Sequence, residues 1–372
     1  MQAHMDPDNQ KKQTFVAGNK SNFALLIITF LILLLAGEGI IRFLETQADP
    51  ELDGKSLEHC IKKSENKNLF WEWVPDTDCS AHYIPIHINT LGLRDYEYGK
   101  NKSQDTIRIA AVGDSYTFGW GVQLNQTYEN VLESMLKEDR SKNYEVLNFG
   151  MPGLNTMEEE SKIESEVISF NPDIIIIGYT SADPGCEHIE LCNPELFDAT
   201  RAAYPKGKLL NVKANTTVGR ITHKITQKSN FLLFLANRID DNFFQKYANG
   251  KNAIENLHAP DSLTWKNTQA QFQRIQQLAE QNNLKVIIVI FPELDFMNYS
   301  KYPFKEVHKQ IAEAGKQHKF YVIDLGEYYQ QYPQGELSVN PGSKNHDGHP
   351  NALAHKIAGE AIYKYMKEEQ LI

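Results

Sequence analysis

Ser115 stands in GDSYTFGWGV, Gly113 to Val122, directly after the apolar run Thr106 to Val112. A serine hydroxyl is a weak nucleophile until an imidazole takes its proton, and that imidazole needs a carboxylate to fix its tautomer. The C-terminal stretch HDGHPNALAH offers both, with Asp347 and His349 just ahead of a last helical pattern. Such a set performs acyl transfer through a covalent acyl-serine. Two other histidines compete for the base. His355 falls inside the last helix, where a solvated or capping role explains it, and His346 is a substitute base. G-D-S alone is a weak signal, so the reading depends on these partners.

To bring residues 115 and 349 together, the chain needs a scaffold that returns its C-terminus to its first strand. The pattern supplies one. Thr106 to Val112, Tyr144 to Asn148, Asp173 to Gly178, Lys285 to Phe291 and Phe320 to Asp324 read as strands. Between and after them, Leu124 to Lys137, Met157 to Phe170, Trp265 to Gln281, Lys305 to Gln317 and Ala352 to Glu368 read as helices. Apolar strands alternating with helices predict an α/β domain, a three-layer, doubly wound parallel sheet. In such a sheet the loops at the strand C-termini form the ligand crevice, which is where Ser115 falls.

Only the tract from Pro184 to Ala259 breaks the alternation. A long irregular insertion of this kind reads as a lid or partner surface. It carries one apolar patch, Phe231 to Leu235, which reads as the buried face of an amphipathic helix from Ile225 to Tyr247, with a second membrane contact the competing reading.

Other polar groups read more plainly. Asn148, Asn155 and Thr156 suit a turn and a helix cap. Glu293 and Asp295 stand at a strand end, where they either look into the crevice or, more commonly for such residues, are solvated loop carboxylates, and Asp183 reads as a brace for its own turn. Trp71, Trp73 and Trp120 suit sugar stacking, with burial in the core the commoner use of such rings.

Charge and hydropathy set the surroundings. With 38 Lys and Arg against 48 Asp and Glu, the net charge is −10, and no clustered excess of Lys and Arg appears along the chain, which argues against nucleic-acid binding. Phe23 to Ala36 has no charged residue, and the stretch to Ile41 covers the hydrocarbon core of about 30 Å as one helix. Lys11, Lys12 and Lys20 precede it, while Glu45, Asp49, Glu51 and Asp53 follow Arg42, so the N-terminus is expected in the cytoplasm and the rest outside. The expected organisation is a cytoplasmic tail over 1–22, a transmembrane signal-anchor over 23–44 and an irregular membrane-proximal segment over 45–83. The catalytic-type domain then fills 84–372, with its insertion at about 184–262. A cleaved signal peptide is the competing reading, although no A-x-A site follows the apolar core. Outside the cytoplasm, four cysteines in two local pairs suggest disulfides, Cys60 with Cys79 and Cys186 with Cys192. A metal site using His188 competes for the second pair, but its Cys-x₅-Cys spacing is not a standard zinc pattern.

GDSYTFGWGV, NFGMPGLNT, IIIIGYTSAD and DGHPN resemble, in order, the sequence blocks of the GDSL or SGNH hydrolase superfamily. INTLGLRD, Ile88 to Asp95, resembles the lead-in of its membrane-anchored bacterial members. The resemblance covers residues 84–183 and 285–369. It implies a flavodoxin-like fold with Ser115 as nucleophile, His349 as general base and acid, and Asp347 as its orienting carboxylate. The Ser115 and Gly153 amides would be oxyanion donors, and neither cofactor nor metal is required. Two departures stand out. The usual Asn of the third block is Ala182 here, which removes a donor worth about 10²- to 10³-fold in rate unless Ser181 or a backbone amide replaces it. The usual D-x-x-H is shortened to D-x-H, which resembles the polysaccharide O-acetyltransferase branch.

The expected function is a membrane-anchored, extracytoplasmic serine esterase or deacetylase acting on envelope glycan or lipid esters. One alternative is an O-acetyltransferase supplied by a multi-span acyl-donor membrane partner. Another is a catalytically degraded domain serving as a binding or assembly module.

Overall fold

Residues 57–81, 84–138, 142–181, 183–184, 250–296, 302–333, 335–340 and 347–372, with parts of 22–40, are described by the computed structural model. Chain contacts separate two units, Met1–Pro50 with Asn193–Tyr247, and Glu51–Cys192 with Ala248–Ile372. Of the first unit only a helical piece is described. Residues 31–40 are continuous helix, and Leu25, Ile28, Leu33, Leu35 and Ile40 expose their side chains. Among the described residues no helix is long and apolar enough to cross a membrane. The anchor expected over 23–44 is described only in part. Ala182, Cys186, His188, Cys192, the Phe231–Leu235 patch with its helix, and His346 lie outside the described residues.

The second unit begins with two small antiparallel pairs. Strand β1, Ile61–Lys63, pairs with β2, Trp71–Trp73, and β3, Thr77–Ala81, pairs with β4, Ile84–Ile88. The expectation of an irregular segment over 45–83 does not include them, because β1 and β2 have three residues each and β3, TDCSA, has no apolar alternation. What holds them is a Cys60–Cys79 disulfide, together with the buried Trp71 and Trp73.

The chain then enters the main sheet. Strand β5, Thr106–Gly113, leads into a one-turn helix α1, Ser115–Phe118, and α2, Tyr128–Glu138. Strand β6, Asn143–Asn148, α3, Thr156–Ser165, and β7, Ile174–Tyr179, follow. The end of the insertion holds α4, Gly250–Leu257, and α5, Leu263–Asn282, and β8, Lys285–Ile290, follow it. Helix α6, Lys305–Gln317, strand β9, Tyr321–Asp324, and α7, Gly326–Tyr329, complete the wound part. A short pair, β10, Ser338–Val339, with β11, Asp347–Pro350, delivers the chain to α8, Ala352–Glu368.

The five-stranded sheet is parallel throughout, in the order β6-β5-β7-β8-β9. Every residue of β7 is buried, so helices cover both faces. Helix α2 packs on α8, and α3 packs on α5. The chain leaves β5 for β6 on one side and returns to β7 on the other, which opens the crevice at the ends of β5 and β7. Two expected helices are shorter than their patterns. Leu124–Gln126 is a separate 3₁₀ turn before α2, and Val167–Phe170 another after α3. Helix α4 lies inside the tract expected to be irregular.

The disulfide closes a loop of 19 residues. Replacing both cysteines by alanine is expected to lower unfolding free energy by about 3 kcal/mol, the closure entropy of a loop of this size. Urea unfolding measures it, and an unchanged midpoint would contradict the assignment of the pair as a staple.

Candidate active site

Helix α1 has only four residues, so its place is fixed from outside. Gly113 and Gly178 are register partners at the ends of β5 and β7, and the Thr117 side chain sits over both. A Cβ on either glycine would stand 2.2 or 2.3 Å from Thr117 Oγ1. Gly150 gives the same clearance at the side, since a Cβ there would lie 2.3 Å from the Phe118 nitrogen. Thr117 Oγ1 in turn meets the Tyr128 hydroxyl at 3.1 Å. Trp73 of β2 stacks on Phe118 at 5.1 Å and donates to Gly150 O. Asp114 caps the helix by accepting the Tyr116 amide at 2.8 Å, and Gly119 ends it in the left-handed region at φ 82°. Ser115 is thereby presented at the first position of a turn that cannot slide.

The base arrives from the far end of the chain. His349 Nε2 lies 2.8 Å from Ser115 Oγ, and His349 Nδ1 lies 2.5 Å from Asp347 Oδ1. Alternate residues of a strand share one face, so D-x-H on β11 turns both side chains the same way. The shortened spacing is therefore compatible with a carboxylate–imidazole pair. Asp347 Oδ1 also accepts the His349 amide at 3.0 Å. With Nδ1–H directed at the carboxylate, Nε2 has its lone pair toward the serine. Tyr116 and Trp120 border the imidazole at 5.4 and 5.8 Å, and the Tyr116 hydroxyl donates to Gly348 O. His355 lies elsewhere. It is fully buried on α8, and its Nδ1 accepts the Tyr128 amide that opens α2.

Two of the three expected oxyanion donors are backbone amides. Gly153 is exposed and left-handed at φ 84°, and neither its amide nor that of Ser115 meets an acceptor among the described residues. Ser181 is different, because its single hydroxyl proton is directed to Glu293 Oε1. In this arrangement it does not point a donor at the nucleophile.

A profile of the GDSL-like lipase/acylhydrolase family matches residues 111–357. The chain belongs to that family. Solved structures similar to this family member include TesA, at 14% identity over 70% of this chain and 98% of that chain, TM-score 0.39. The lipase/acylhydrolase from Enterococcus faecalis matches at 16% identity over 71% and 96%, TM-score 0.39. A catalytic mutant of Axe2, an acetylxylan esterase from Geobacillus stearothermophilus, matches at 10% over 70% and 94%, TM-score 0.41. No curated protein matches the chain.

Around this GDSL-family site lie contacts that local spacing does not show. Glu293, expected in solvent, is half-buried and holds Ser181. Its amide donates to the Tyr302 oxygen at 2.9 Å, Tyr302 meets His308 Nε2 at 3.0 Å, and His308 Nδ1 meets Asp324 at 2.9 Å. That chain ties the ends of β8 and β9 to the crevice, and nothing in local spacing announces it. The plainer expectations match what these groups touch. Asn155 caps α3, and Asp183 accepts both the amide and the hydroxyl of Thr180. Trp71 and Trp73 are core. The side chain of Asp295 lies outside the described residues. Among the described residues no cluster of His, Cys, Asp or Glu could hold a metal ion.

Behind the nucleophile sit three buried acids, Asp114, Glu159 and Asp183. Burial pushes Asp114 up to about 6 and, with mutual repulsion, holds Glu159 and Asp183 well above the carboxylate range. Burial also pushes Asp95 and Glu158 up to about 8, and pushes His258 down to about 4 and His355 down to about 3. A raised carboxyl keeps its proton in the folded state where the unfolded chain has lost it, so its stability contribution falls as pH rises through that window. The depressed histidines act oppositely, but only below about 6.5. Of these groups, the raised carboxyls set the sign between pH 6.5 and 8. The melting temperature is expected to fall over that interval, and a rise would contradict these protonation states.

Proposed function

We propose that the chain is a membrane-anchored, extracytoplasmic serine acyl-ester hydrolase acting on ester groups of envelope glycans or lipids. The observation that carries the chemistry is the contact chain from Ser115 Oγ through His349 to Asp347. Ser115 Oγ attacks the ester carbonyl while His349 Nε2 takes its proton. The negative oxygen that forms is met by the Ser115 and Gly153 amides. His349 then returns its proton to the leaving alcohol, and water, deprotonated by the same nitrogen, releases the acid from the acyl-serine. Asp347 holds Nδ1–H throughout and stabilises the imidazolium.

The two half-buried rings beside His349 suit a substrate with a flat, partly apolar face, such as a sugar ring bearing an ester. Anchoring is supported by the uncharged run from Phe23 to Ala36, by the exposed leucines and isoleucines of its described part, and by the lysines ahead of it. A two-amide oxyanion site, with Ser181 turned to Glu293, favours a second reading. In it a sugar hydroxyl replaces water as acceptor, and a multi-span membrane partner supplies the acyl group.

The test uses spheroplasts carrying the full chain and a membrane-impermeant fluorophosphonate. Ser115 is expected to be labelled from outside, Ser115→Ala and His349→Ala to take no label, and Asp347→Asn to label up to about 10⁴-fold more slowly. Labelling only after lysis would refute the location. Labelling unaffected by Ser115→Ala would refute the site.

A further inference from the structure

The lead-in INTLGLRD has no part in the chemistry above, yet its side chains reach the nucleophile turn from outside. Asn89 folds the segment, accepting the Leu91 and Leu93 amides at 3.0 and 2.9 Å and donating to Tyr96 O at 2.7 Å. That turn drives Arg94 inward, where it is 2% exposed. Its guanidinium donates to Phe118 O at 2.7 Å, Gly119 O at 2.6 Å and Val122 O at 2.6 Å, and lies 4.7 Å from the centre of the Phe118 ring. Next to it, Asp95 accepts the Asn148 amide at 2.8 Å. Asn148 donates to Thr117 O and accepts the Gly150 amide, each at 2.8 Å.

A one-turn helix leaves most of its carbonyls without partners of its own, and buried carbonyls left unpaired are costly. Thr117, Phe118, Gly119 and Val122 are all buried, and their carbonyls are held by this one motif, directly or through Asn148. The same pair ties α1 to the loop that carries Gly153. We infer that Arg94 is the positioning residue of the nucleophile turn, with Asp95 its link to the oxyanion loop, so that INTLGLRD sets the geometry of Ser115 without touching substrate. This rests on the reading of Ser115 as nucleophile. A lysine cannot replace the fork, because one ammonium cannot span three carbonyls in a fixed plane while stacking on a ring.

The test compares the full-length wild type with Arg94→Lys by fluorophosphonate labelling and by amide hydrogen exchange. Arg94→Lys is expected to label about 10²-fold more slowly, the usual effect of a misplaced reacting group. Exchange should quicken in peptides covering 113–124 while those covering 285–290 keep their protection. Labelling at the wild-type rate, or exchange rising equally in both regions, would overturn the inference. Should Arg94→Lys fail to fold, Asp95→Asn carries the test, with slower labelling and a protected 285–290 in support and wild-type labelling against. A wild type that takes no label at Ser115 sinks the nucleophile reading instead. The clamp is then judged by exchange alone, and unchanged 113–124 exchange in Arg94→Lys overturns it.

Discussion

The site depends on the close approach of one helical turn to three glycines. Helix α1 has to lie directly on the ends of β5 and β7, and only the glycine pair Gly113 and Gly178, with Gly150 beside them, leaves room for Thr117 and Phe118 to do so. From that seat follow the direction of Ser115 Oγ, the outward face of its amide, and the placement of Tyr116 and Trp120 around the imidazole. At Gly150 a side chain would run into the backbone of Thr117 and Phe118, and at Gly113 and Gly178 into the short, buried Thr117 side chain, so neither contact leaves room for a Cβ. The nucleophile is therefore set by the sheet itself.

A seat of this kind still needs walls. Trp73 stacks on Phe118 from the disulfide-bound strands, Arg94 and Asn148 hold the carbonyls, and Tyr128 closes on Thr117 from α2. Against this fixed turn the base is brought by a strand. On β11 two residues apart means one face, so Asp347 and His349 need no extra residue between them to meet. The carboxylate then orients the ring, and the ring reaches the serine, although the two ends of this contact are 234 residues apart in sequence.

How much of this the sequence disclosed follows from how local each signal is. The strand runs 174–178 and 285–291 are apolar at nearly every position, so the parallel sheet was legible, as were the ends from which Ser115 projects. Ser115, Asp347 and His349 stood out because a serine after a strand end, joined to a carboxylate and an imidazole near the C-terminus, supplies the three residue types that acyl transfer needs. The Cys60–Cys79 staple was legible from the spacing of its pair. The strands around it were not, since β1 and β2 have three residues each and β3, TDCSA, shows no apolar alternation. Arg94 looked like one letter of a lead-in, because its partners are carbonyls of residues 118–122, and carbonyls carry no sequence signature. Glu293 misled for a related reason: a carboxylate after a strand is usually solvated, and only the tertiary fold brings Ser181 to it.

The central claim is that a proton moves from Ser115 to His349 and leaves an acylated serine. Acid quenching of the full-length protein during turnover of an activated acetyl ester, followed by peptide mass mapping, observes that intermediate directly. An acetyl group on the peptide containing Ser115, absent from His349→Ala, is the expected result. Acetylation of another residue, or of Ser115 equally in the presence and absence of His349, would contradict it.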